Sequence, residues 1–204
     1  MNVITLVLPP LDTNCYIVFE KDDDKCIIID PASSSEKITH IISEKNLIPL
    51  SVILTHGHFD HIGAADFLRE YYNIPLCIHE YDAELLSSPE KNASRFLMFG
   101  DVVISHADKL LNDESIIKFG KGRLNVMHTP GHTKGSCVLV GESEIFSGDT
   151  LFRDGYGRCD LYGGNINELS ESLHALFLLN ECLTVYPGHG EKTTVGYEKA
   201  KSML

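Results

Sequence analysis

The segment THGHFDH at residues 55–61 restricts the fold and function of this chain more than any other part of the sequence. It places three histidines and one aspartate within six residues, and neither a helical period nor the alternation of a strand accounts for that spacing. In an extended loop, His56 and His58 can point to one side while Asp60 and His61 turn to another. The segment is therefore typical of two neighbouring metal positions rather than one.

Three further polar positions lie beside glycines at the ends of expected strands: His132 in the segment GHT, Asp149 in SGDT and His189 in PGHG. Together with the first segment they supply five histidines and two aspartates, an inventory that suits two divalent ions. Imidazole and carboxylate donors fit borderline cations such as zinc, iron or manganese. The lack of a cysteine ligand disfavours a closed structural zinc site, and an open site can hold a water molecule.

Apolar periodicity predicts strands and helices that alternate in blocks along the chain. The expected strands lie at residues 2–8, 13–19, 25–30, 51–54, 75–79, 115–119, 123–128, 136–140, 144–147 and 183–186. The expected helices lie at residues 62–72, 80–86 and 167–179, with one more that is N-capped within serines 33–35 and ends near Asn46, and a closing helix. Two β layers inside two helical layers follow from this order, that is, a four-layer αββα sandwich.

Residues 87–108 are the stretch for which the sequence predicts least. We expect them to be irregular or partly helical, with an apolar patch, FLMF, at residues 96–99. No linker-like or low-complexity run interrupts the chain, so we expect a single domain over residues 1–204.

Composition and charge exclude several classes of partner. Lys and Arg total 17 against 29 Asp and Glu, a formal net charge of −12, so we expect the chain to bind neither nucleic acid nor a membrane surface. No run reaches the roughly 18 apolar residues of a membrane span, and no basic segment of a signal peptide follows Met1. The six cysteines form no CxxC pair, which predicts free, mostly buried thiols and a cytoplasmic protein.

The motifs THGHFDH at 55–61, HTPGHT at 128–133, SGD at 147–149 and PGH at 187–189 resemble those of the metallo-β-lactamase superfamily. Within it, the chain is similar to hydroxyacylglutathione hydrolases (glyoxalase II) and their single-domain relatives. The resemblance implies an α+β fold with two mixed β-sheets flanked by helices, and a binuclear metal centre. It also implies a ligand set: His56, His58 and His132 for one ion, Asp60, His61 and His189 for the other, and Asp149 bridging both.

The implied reaction is hydrolysis of a small thioester such as an S-2-hydroxyacylglutathione. Two divalent ions about 3.5–4 Å apart lower the pKa of a bridging water toward about 7, so hydroxide is available at neutral pH without a serine or cysteine nucleophile. We expect zinc at both positions, with iron or manganese as alternatives. Asp60 is expected to act catalytically by orienting the hydroxide, and a departing thiolate with a pKa of about 8.5 needs little protonation.

Positive charge near the expected site comes from the glycine-rich loop after the third motif. We expect Arg158 and Tyr162 to bind an anionic small-molecule thioester, with Arg153 and Tyr156 as further candidates. The same loop is equally compatible with an internal ion pair between Arg158 and Asp160, which would shape the loop without contacting substrate.

The resemblance to two-domain glyoxalase II is incomplete at the C-terminal end. Those enzymes have a helical extension that helps to bind glutathione, whereas 15 residues follow His189 in this sequence. We therefore expect no glutathione-binding helical domain here. The acyl carrier and the oligomeric state stay open.

Two other functions stay open as well. A persulfide dioxygenase has the same fold and similar motifs but uses a single iron, held by two histidines and one aspartate, together with O2. A non-catalytic metal-binding module would keep the same residues without turnover. A secreted β-lactamase is disfavoured, because no signal peptide is recognised and because such enzymes usually place cysteine where this chain has Asp149.

Overall fold

Two six-stranded β-sheets form the centre of the computed structural model, which describes residues 1–98 and 100–202. The strands of the first sheet are β1 (Asn2–Leu8), β2 (Thr13–Phe19), β3 (Lys25–Ile29), β4 (Ile48–Ile53), β5 (Leu76–His79) and β6 (Lys109–Leu111), in that order across the sheet. β1, β2 and β3 pair antiparallel, as predicted, whereas β3 to β6 pair in parallel. The first sheet is therefore mixed, with β4 at its buried centre.

The second half of the chain forms the other sheet and a short hairpin. Its strands are, in chain order, β7 (Ile116–Phe119), β8 (Gly122–His128), β9 (Cys137–Val140), β10 (Glu144–Gly148), the hairpin pair β11 (Leu151–Phe152) and β12 (Gly155–Tyr156), β13 (Thr184–Pro187) and β14 (Thr193–Thr194). The order across the sheet is β14-β13-β10-β9-β8-β7. β10 and β13 pair in parallel and the remaining neighbours pair antiparallel, so this sheet is mixed too.

Five α-helices and one 3-10 helix connect or follow the strands. They are α1 (Ser35–Glu44), α2 (Phe59–Ile62), α3 (Ala65–Tyr72), the 3-10 helix Glu80–Leu85, α4 (Ile166–Leu176) and α5 (Val195–Lys201). Within residues 1–98 and 100–202, none of these helices has both the length and the apolar character that a membrane crossing requires.

Alternating side chains of the strands fill three apolar layers. In β3, Ile27 packs between the two sheets with Phe146, whereas Ile28 points to the outer face and packs with Ile38 of α1. On the outer face of the second sheet, Leu173 of α4 belongs to the third layer. The predicted αββα sandwich is therefore confirmed. All six cysteines are free and four of them are buried, also as predicted.

The helices differ in detail from the sequence prediction: the one expected at 80–86 is the 3-10 helix Glu80–Leu85, and the one expected at 167–179 ends at Leu176. The predicted N-cap within serines 33–35 of α1 is confirmed at Ser34, but the backbone of Ser34 is left-handed with φ 52° and its side chain makes no capping hydrogen bond. The helix predicted over residues 62–72 is split into α2 and α3. Near the break, Gly63 lies so close to the carbonyl oxygen of Ala32 that a Cβ at residue 63 would be 2.3 Å from it.

The segment 87–108 is irregular and contains turns rather than a long helix. In its apolar patch, Phe96 and Met98 are exposed and Leu97 is half-buried, while Phe99 lies outside the described residues. β6 follows this segment directly and pairs with β5. β6 was not predicted, because three residues are too few to show an alternating pattern.

Candidate metal centre

Four loops bring the polar residues of the motifs to one edge of the two sheets. The loop at 55–61 follows β4, the loop at 129–133 follows β8, Asp149 follows β10 and His189 follows β13. β8, β10 and β13 run in the same direction through the second sheet. Because strands of one direction end at the same edge, residues far apart in the chain meet there.

Seven side chains converge at this edge, and they are the seven ligands implied by the resemblance: His56, His58, Asp60, His61, His132, Asp149 and His189. Five of them are buried, and Asp149 and His189 are half-buried. Their donor atoms form three groups, each within 4.8 Å: His56 with His58 and His132, His56 with His61 and Asp149, and Asp60 with His61 and His189. We refer to the seven residues as the His/Asp cluster.

Asp149 lies between the two sets of ligands. Its Oδ2 is 3.5 Å from Nε2 of His132 and 3.6 Å from Nε2 of His189, and its Oδ1 is 3.4 Å from Nε2 of His61. The same nitrogen of His61 is also 3.5 Å from Oδ2 of Asp60. Asp149 thus reaches residues of both sets, which matches a bridging position.

Several metal-binding atoms of the cluster have no hydrogen-bond partner among the described residues. Among the described residues, five buried side-chain polar atoms lack a hydrogen-bond partner, and four of the five belong to the cluster: Nε2 of His56, His58 and His61, and Oδ1 of Asp149. Buried polar atoms normally have partners, so this concentration in one place calls for a ligand. Divalent cations that accept nitrogen and oxygen donors fit this set.

The electrostatics favour the metal-binding protonation state at His56, His58 and Asp60, but not at His61 and His189. At those two imidazoles burial acts to lower the pKa, but the neighbouring carboxylates of Asp60 and Asp149 outweigh it and raise the pKa, so a cation there must displace a proton. Burial and the neighbouring His132 imidazole together lower the pKa of His58 to about 3. Burial also lowers the pKa of His56 well below its usual value, and the His61 imidazole adds to this. Burial acts to raise the pKa of Asp60, but His61 and His189 outweigh it and hold that pKa below its usual value. Neutral imidazoles and ionised carboxylates are the forms in which these side chains coordinate metals.

Asp30, directly after β3, supports the cluster from behind. Its Oδ2 is 3.0 Å from Nδ1 of His61 and accepts a hydrogen bond from the Thr55 hydroxyl (2.6 Å), while its Oδ1 accepts one from the Thr55 backbone N–H (2.8 Å). The carboxylate therefore fixes the ring of His61 and the start of the first motif. Asp30 is not among the predicted site residues, although an aspartate at the end of the segment CIIID could have suggested it.

The start of β2 supports the cluster from the N-terminal side. The Thr13 hydroxyl donates to Oδ2 of Asp60 (3.0 Å), and the side-chain amide of Asn14 donates to the carbonyl of Pro187 (3.0 Å), next to the last motif. Nδ1 of His189 lies 3.1 Å from the backbone carbonyl oxygen of Leu11. These residues were also missed, and their only signal is two polar side chains at the start of the apolar strand TNCYIVF.

Gly188 allows the last motif to approach the cluster closely. A Cβ at this position would lie 2.1 Å from Oδ1 of Asp149 and 2.8 Å from Cε1 of His61. Real Cβ atoms do not occupy such positions, so glycine is required here for packing rather than for backbone conformation.

A cleft of about 320 Å³ opens onto the cluster. Besides cluster residues and Arg158, its lining is apolar: Leu11, Phe59, Ala93, Leu97, Phe152 and Leu161. The irregular segment 87–108 therefore supplies part of the wall, through Ala93 and Leu97. Apolar walls around a few converging polar groups are typical of a site for a small molecule.

The two predicted substrate-binding residues have partners within the protein. Arg158 lines the cleft, and its guanidinium donates from Nε and Nη2 to the two carboxylate oxygens of Asp160 (2.7 and 2.8 Å). Its backbone carbonyl oxygen also lies 2.6 Å from Nδ1 of His132. Tyr162 donates its hydroxyl to Glu84 (2.9 Å). The internal ion pair that the loop sequence left open is therefore formed.

Comparison with known proteins agrees with this geometry. A family model, the metallo-beta-lactamase superfamily, matches residues 8–189. The chain therefore belongs to the metallo-β-lactamase superfamily. It is 40% identical over 189 residues to the probable metallo-hydrolase YqgX of Bacillus subtilis, with 91% of this chain and 89% of that protein covered. It is 32% identical to the hydroxyacylglutathione hydrolase GloC of Haemophilus influenzae, with 98% and 95% covered.

Solved structures show the same architecture. The B3 metallo-β-lactamase BLEG-1 is 36% identical, with a TM-score of 0.93 over 98% of this chain and 97% of that one. TTHA1623 in a di-iron-bound form is 33% identical, with a TM-score of 0.84 over 96% of each chain. ETHE1 from Myxococcus xanthus is 26% identical, with a TM-score of 0.81 over 98% of this chain and 82% of that one. These proteins have the fold in common with this chain, whereas their names point to different activities.

Proposed function

We propose that this metallo-hydrolase cleaves small thioesters at a binuclear metal centre, in the manner of a hydroxyacylglutathione hydrolase. The observation that carries the proposal is the His/Asp cluster, which contains unsatisfied donor atoms and borders a small, largely apolar cleft. The similarity to GloC supports the choice of a thioester, because that relative is a hydroxyacylglutathione hydrolase by name.

We assign the ligands to two positions as the resemblance implies. His56, His58 and His132 would hold one ion, Asp60, His61 and His189 the other, and Asp149 would bridge them. Zinc suits these nitrogen and oxygen donors, and iron or manganese suits them too. When bound, such a pair of ions supplies a water nucleophile at neutral pH and polarises an acyl carbonyl.

The side chains of the protein contribute orientation. Thr13 holds Oδ2 of Asp60 in place, so the carboxylate of Asp60 is positioned to orient a water molecule by accepting a hydrogen bond from it. A thiolate with a pKa of about 8.5 departs without a strong acid, which favours a thioester over an amide as substrate.

The cleft walls suggest where the substrate lies. Leu97 and Leu161 would pack against its apolar part and exclude bulk water from the reacting carbonyl. Arg158 would bind an anionic group of the thioester at the rim and would give up its ion pair with Asp160 to do so. Tyr162, on the same loop, would contact the substrate as well. The net charge of −12 argues for a small anion held at this local site rather than nucleic acid or a membrane surface.

The decisive experiment couples metal analysis to a hydrolysis assay. The purified chain is analysed for zinc, iron and manganese, and the same sample is assayed with S-lactoylglutathione and with the N-acetylcysteamine thioester of the same acyl group. Two ions per chain with turnover of either thioester supports the proposal. Two ions per chain without cleavage of any acylthiol, by a protein that melts cooperatively, would falsify it. Binding of metal without turnover of any substrate would indicate a non-catalytic metal-binding module.

A persulfide dioxygenase is the second candidate, because His56, His61 and Asp149 form a set of two histidines and one carboxylate within 4.8 Å. Such sets hold single iron ions in oxygenases, and the similarity to ETHE1 directs attention to that chemistry. The iron-loaded protein is tested for O2 uptake with glutathione persulfide in an oxygen electrode. Uptake would establish this function, and no uptake by a fully iron-loaded sample would eliminate it.

A further inference from the structure

Asp82 is a buried carboxylate that connects two of the motif loops. It lies in the 3-10 helix Glu80–Leu85 and is fully buried. Its Oδ2 accepts hydrogen bonds from the backbone N–H of Gly57 (2.9 Å) and the hydroxyl of Thr133 (2.7 Å), and its Oδ1 accepts one from the N–H of Gly135 (2.7 Å). One side chain therefore holds residues that are far apart in the sequence.

The two loops are those that carry the three-histidine set. Gly57 lies between His56 and His58, and Thr133 directly follows His132. The donor atoms of these three histidines lie within 4.8 Å of one another although their loops follow strands of different sheets. Asp82 touches none of the three imidazoles through a hydrogen bond, yet it binds the backbone or side chain of a residue beside each of them.

The 3-10 helix is packed tightly between the loops. A Cβ at residue 57 would lie 2.6 Å from Cβ of Leu85, and a Cβ at residue 135 would lie 2.6 Å from the backbone N of Asp82. Both glycines therefore allow the loops to approach the helix. This closeness makes the position of each loop sensitive to the side chain at residue 82.

A pair of stacked histidines anchors the start of the same helix. His79 caps it by accepting a hydrogen bond from the N–H of Tyr81, and its ring stacks on His128 with centroids 4.2 Å apart. Nε2 of His128 lies 2.8 Å from the carbonyl oxygen of Lys134, in the loop that Asp82 also holds. The helix is therefore attached to the second sheet at two places.

No ion pair within the described residues balances the buried charge of Asp82. Within the described part of the chain, no lysine or arginine lies within 4.0 Å of its carboxylate, and three neutral donors surround it instead. Burial raises the pKa of Asp82, and the hydrogen bonds from Thr133, Gly57 and Gly135 oppose that rise. Burying a carboxylate in this way is costly, and an apolar residue would often pack at least as well.

We infer that Asp82 is a positioning residue that sets the spacing of His56, His58 and His132 and thereby the affinity of the first metal position. The inference rests on the proposed metal centre and extends it to a residue outside the ligand set. A carboxylate can accept from three donors at once, because it has four lone-pair sites and no hydrogen. An asparagine of nearly the same shape has one acceptor oxygen, and its amide group meets an N–H or O–H donor on the other side.

The test compares Asp82→Asn with Glu198→Gln in the full-length chain. Glu198 is a matched control because it is also a buried carboxylate that accepts two hydrogen bonds, from the Thr193 hydroxyl (2.5 Å) and the Asp154 N–H (3.0 Å), on the other side of the second sheet. Metal-free samples of each protein are titrated with Zn²⁺ in competition with a chromophoric chelator. The thermal midpoint of each metal-free protein is recorded to separate folding from metal binding.

We expect Asp82→Asn to weaken one of the two zinc equivalents by about 10–100-fold and to leave the other unchanged. Saturating zinc should restore most of kcat with an unaltered KM, since residue 82 does not touch substrate. Glu198→Gln should bind both equivalents like the unaltered protein. Thr133→Val, which removes one donor to Asp82 and keeps the side-chain volume, should weaken the same equivalent, and the double variant should be less than additive.

Two results would overturn the inference. One is an Asp82→Asn protein that binds both zinc equivalents with unaltered affinity. The other is an Asp82→Asn protein that binds both zinc ions equally more weakly and whose metal-free thermal midpoint falls as much as that of Glu198→Gln. That result would make Asp82 a purely structural residue. If the unaltered protein binds two ions but hydrolyses no thioester, the proposed substrate class fails while the zinc titration still decides the role of Asp82.

Discussion

The Asp30 carboxylate lies 3.0 Å from Nδ1 of His61, and both side chains are buried. This contact joins the end of β3 to α2 and leaves Nε2 of His61 facing the cluster. A carboxylate behind a ligating histidine sets the ring orientation and increases its basicity, so the contact acts on the second metal position.

Asp30→Asn is therefore expected to lower the affinity for one divalent ion by about 10–100-fold. Zinc titration of the metal-free protein measures this directly. Asp30→Asn and Asp82→Asn should each weaken the binding of a different zinc ion, so a variant that combines both changes should lose tight binding at both positions. A combined variant that still binds one ion with full affinity would contradict the assignment of the two residues to different positions.

Thr13→Val removes the hydroxyl that donates to Oδ2 of Asp60 and keeps the side-chain volume. We expect kcat for thioester hydrolysis to fall about 10-fold, because Asp60 loses the contact that fixes its carboxylate. The free energy of unfolding should fall by about 1.5–3 kcal/mol, the usual contribution of a hydrogen bond to a charged group. Steady-state kinetics at saturating zinc and urea unfolding measure the two effects, and unaltered kcat would show that Thr13 serves stability alone.

Gly188→Ala places a Cβ 2.1 Å from Oδ1 of Asp149, so the last motif must move away from the cluster. We expect loss of at least one bound ion and destabilisation of about 1–3 kcal/mol from overpacking. Gly155→Ala is the matched control, because no heavy atom outside its chain neighbours lies within 4 Å of a Cβ there. Full metal content in Gly188→Ala, measured by elemental analysis, would show that the loop adapts more freely than the packing indicates.

His79 makes the stability of the fold depend on pH. Burial lowers the pKa of His79 to about 4, and the stacked His128 adds to this while Asp113 opposes it. An unfolded histidine has a pKa of about 6.5, so the unfolded chain binds more protons between these values. The contribution of His79 is thus complete above pH of about 6.5 and is lost as the pH falls toward 4.

His79→Asn keeps an acceptor at the N-cap of the 3-10 helix and removes the titration. Urea unfolding between pH 7 and pH 4 should show a shallower loss of stability than in the unaltered chain. Identical slopes for His79→Asn and the unaltered protein would place the acid sensitivity elsewhere.

Arg158 and Asp160 test the choice between substrate binding and loop structure. If the guanidinium meets an anionic thioester, Arg158→Gln should raise KM by about 10-fold with little change in kcat, which is the signature of lost uniform binding. Asp160→Asn, which releases the guanidinium from its present partner, should lower KM for the same substrate. Equal KM values in all three proteins would show that Arg158 does not bind the substrate. Its role would then be limited to its ion pair with Asp160 and its backbone contact to His132.

Local sequence predicted the strands well where alternation or an apolar run was long enough to read. β1, β2, β3 and β8 fall within one residue of the expected ranges at each end. The short elements β6, β11, β12 and β14 were missed, because two or three residues carry no period. The break between α2 and α3 was missed for another reason: the N–H of Ala64 donates to the carbonyl of Pro31 (2.9 Å), a contact between distant segments.

The sequence by itself determined which residues can hold metal, because imidazoles and carboxylates that recur beside glycine at strand ends serve neither a helical nor a strand pattern. Tertiary structure alone decided which groups support them. Thr13, Asp30 and Asp82 contact positions 47, 31 and 51 residues away, at Asp60, His61 and Thr133 respectively. A polar side chain in a strand or a short helix shows no local sign of such a partner, because the partner is chosen by how the two sheets pack.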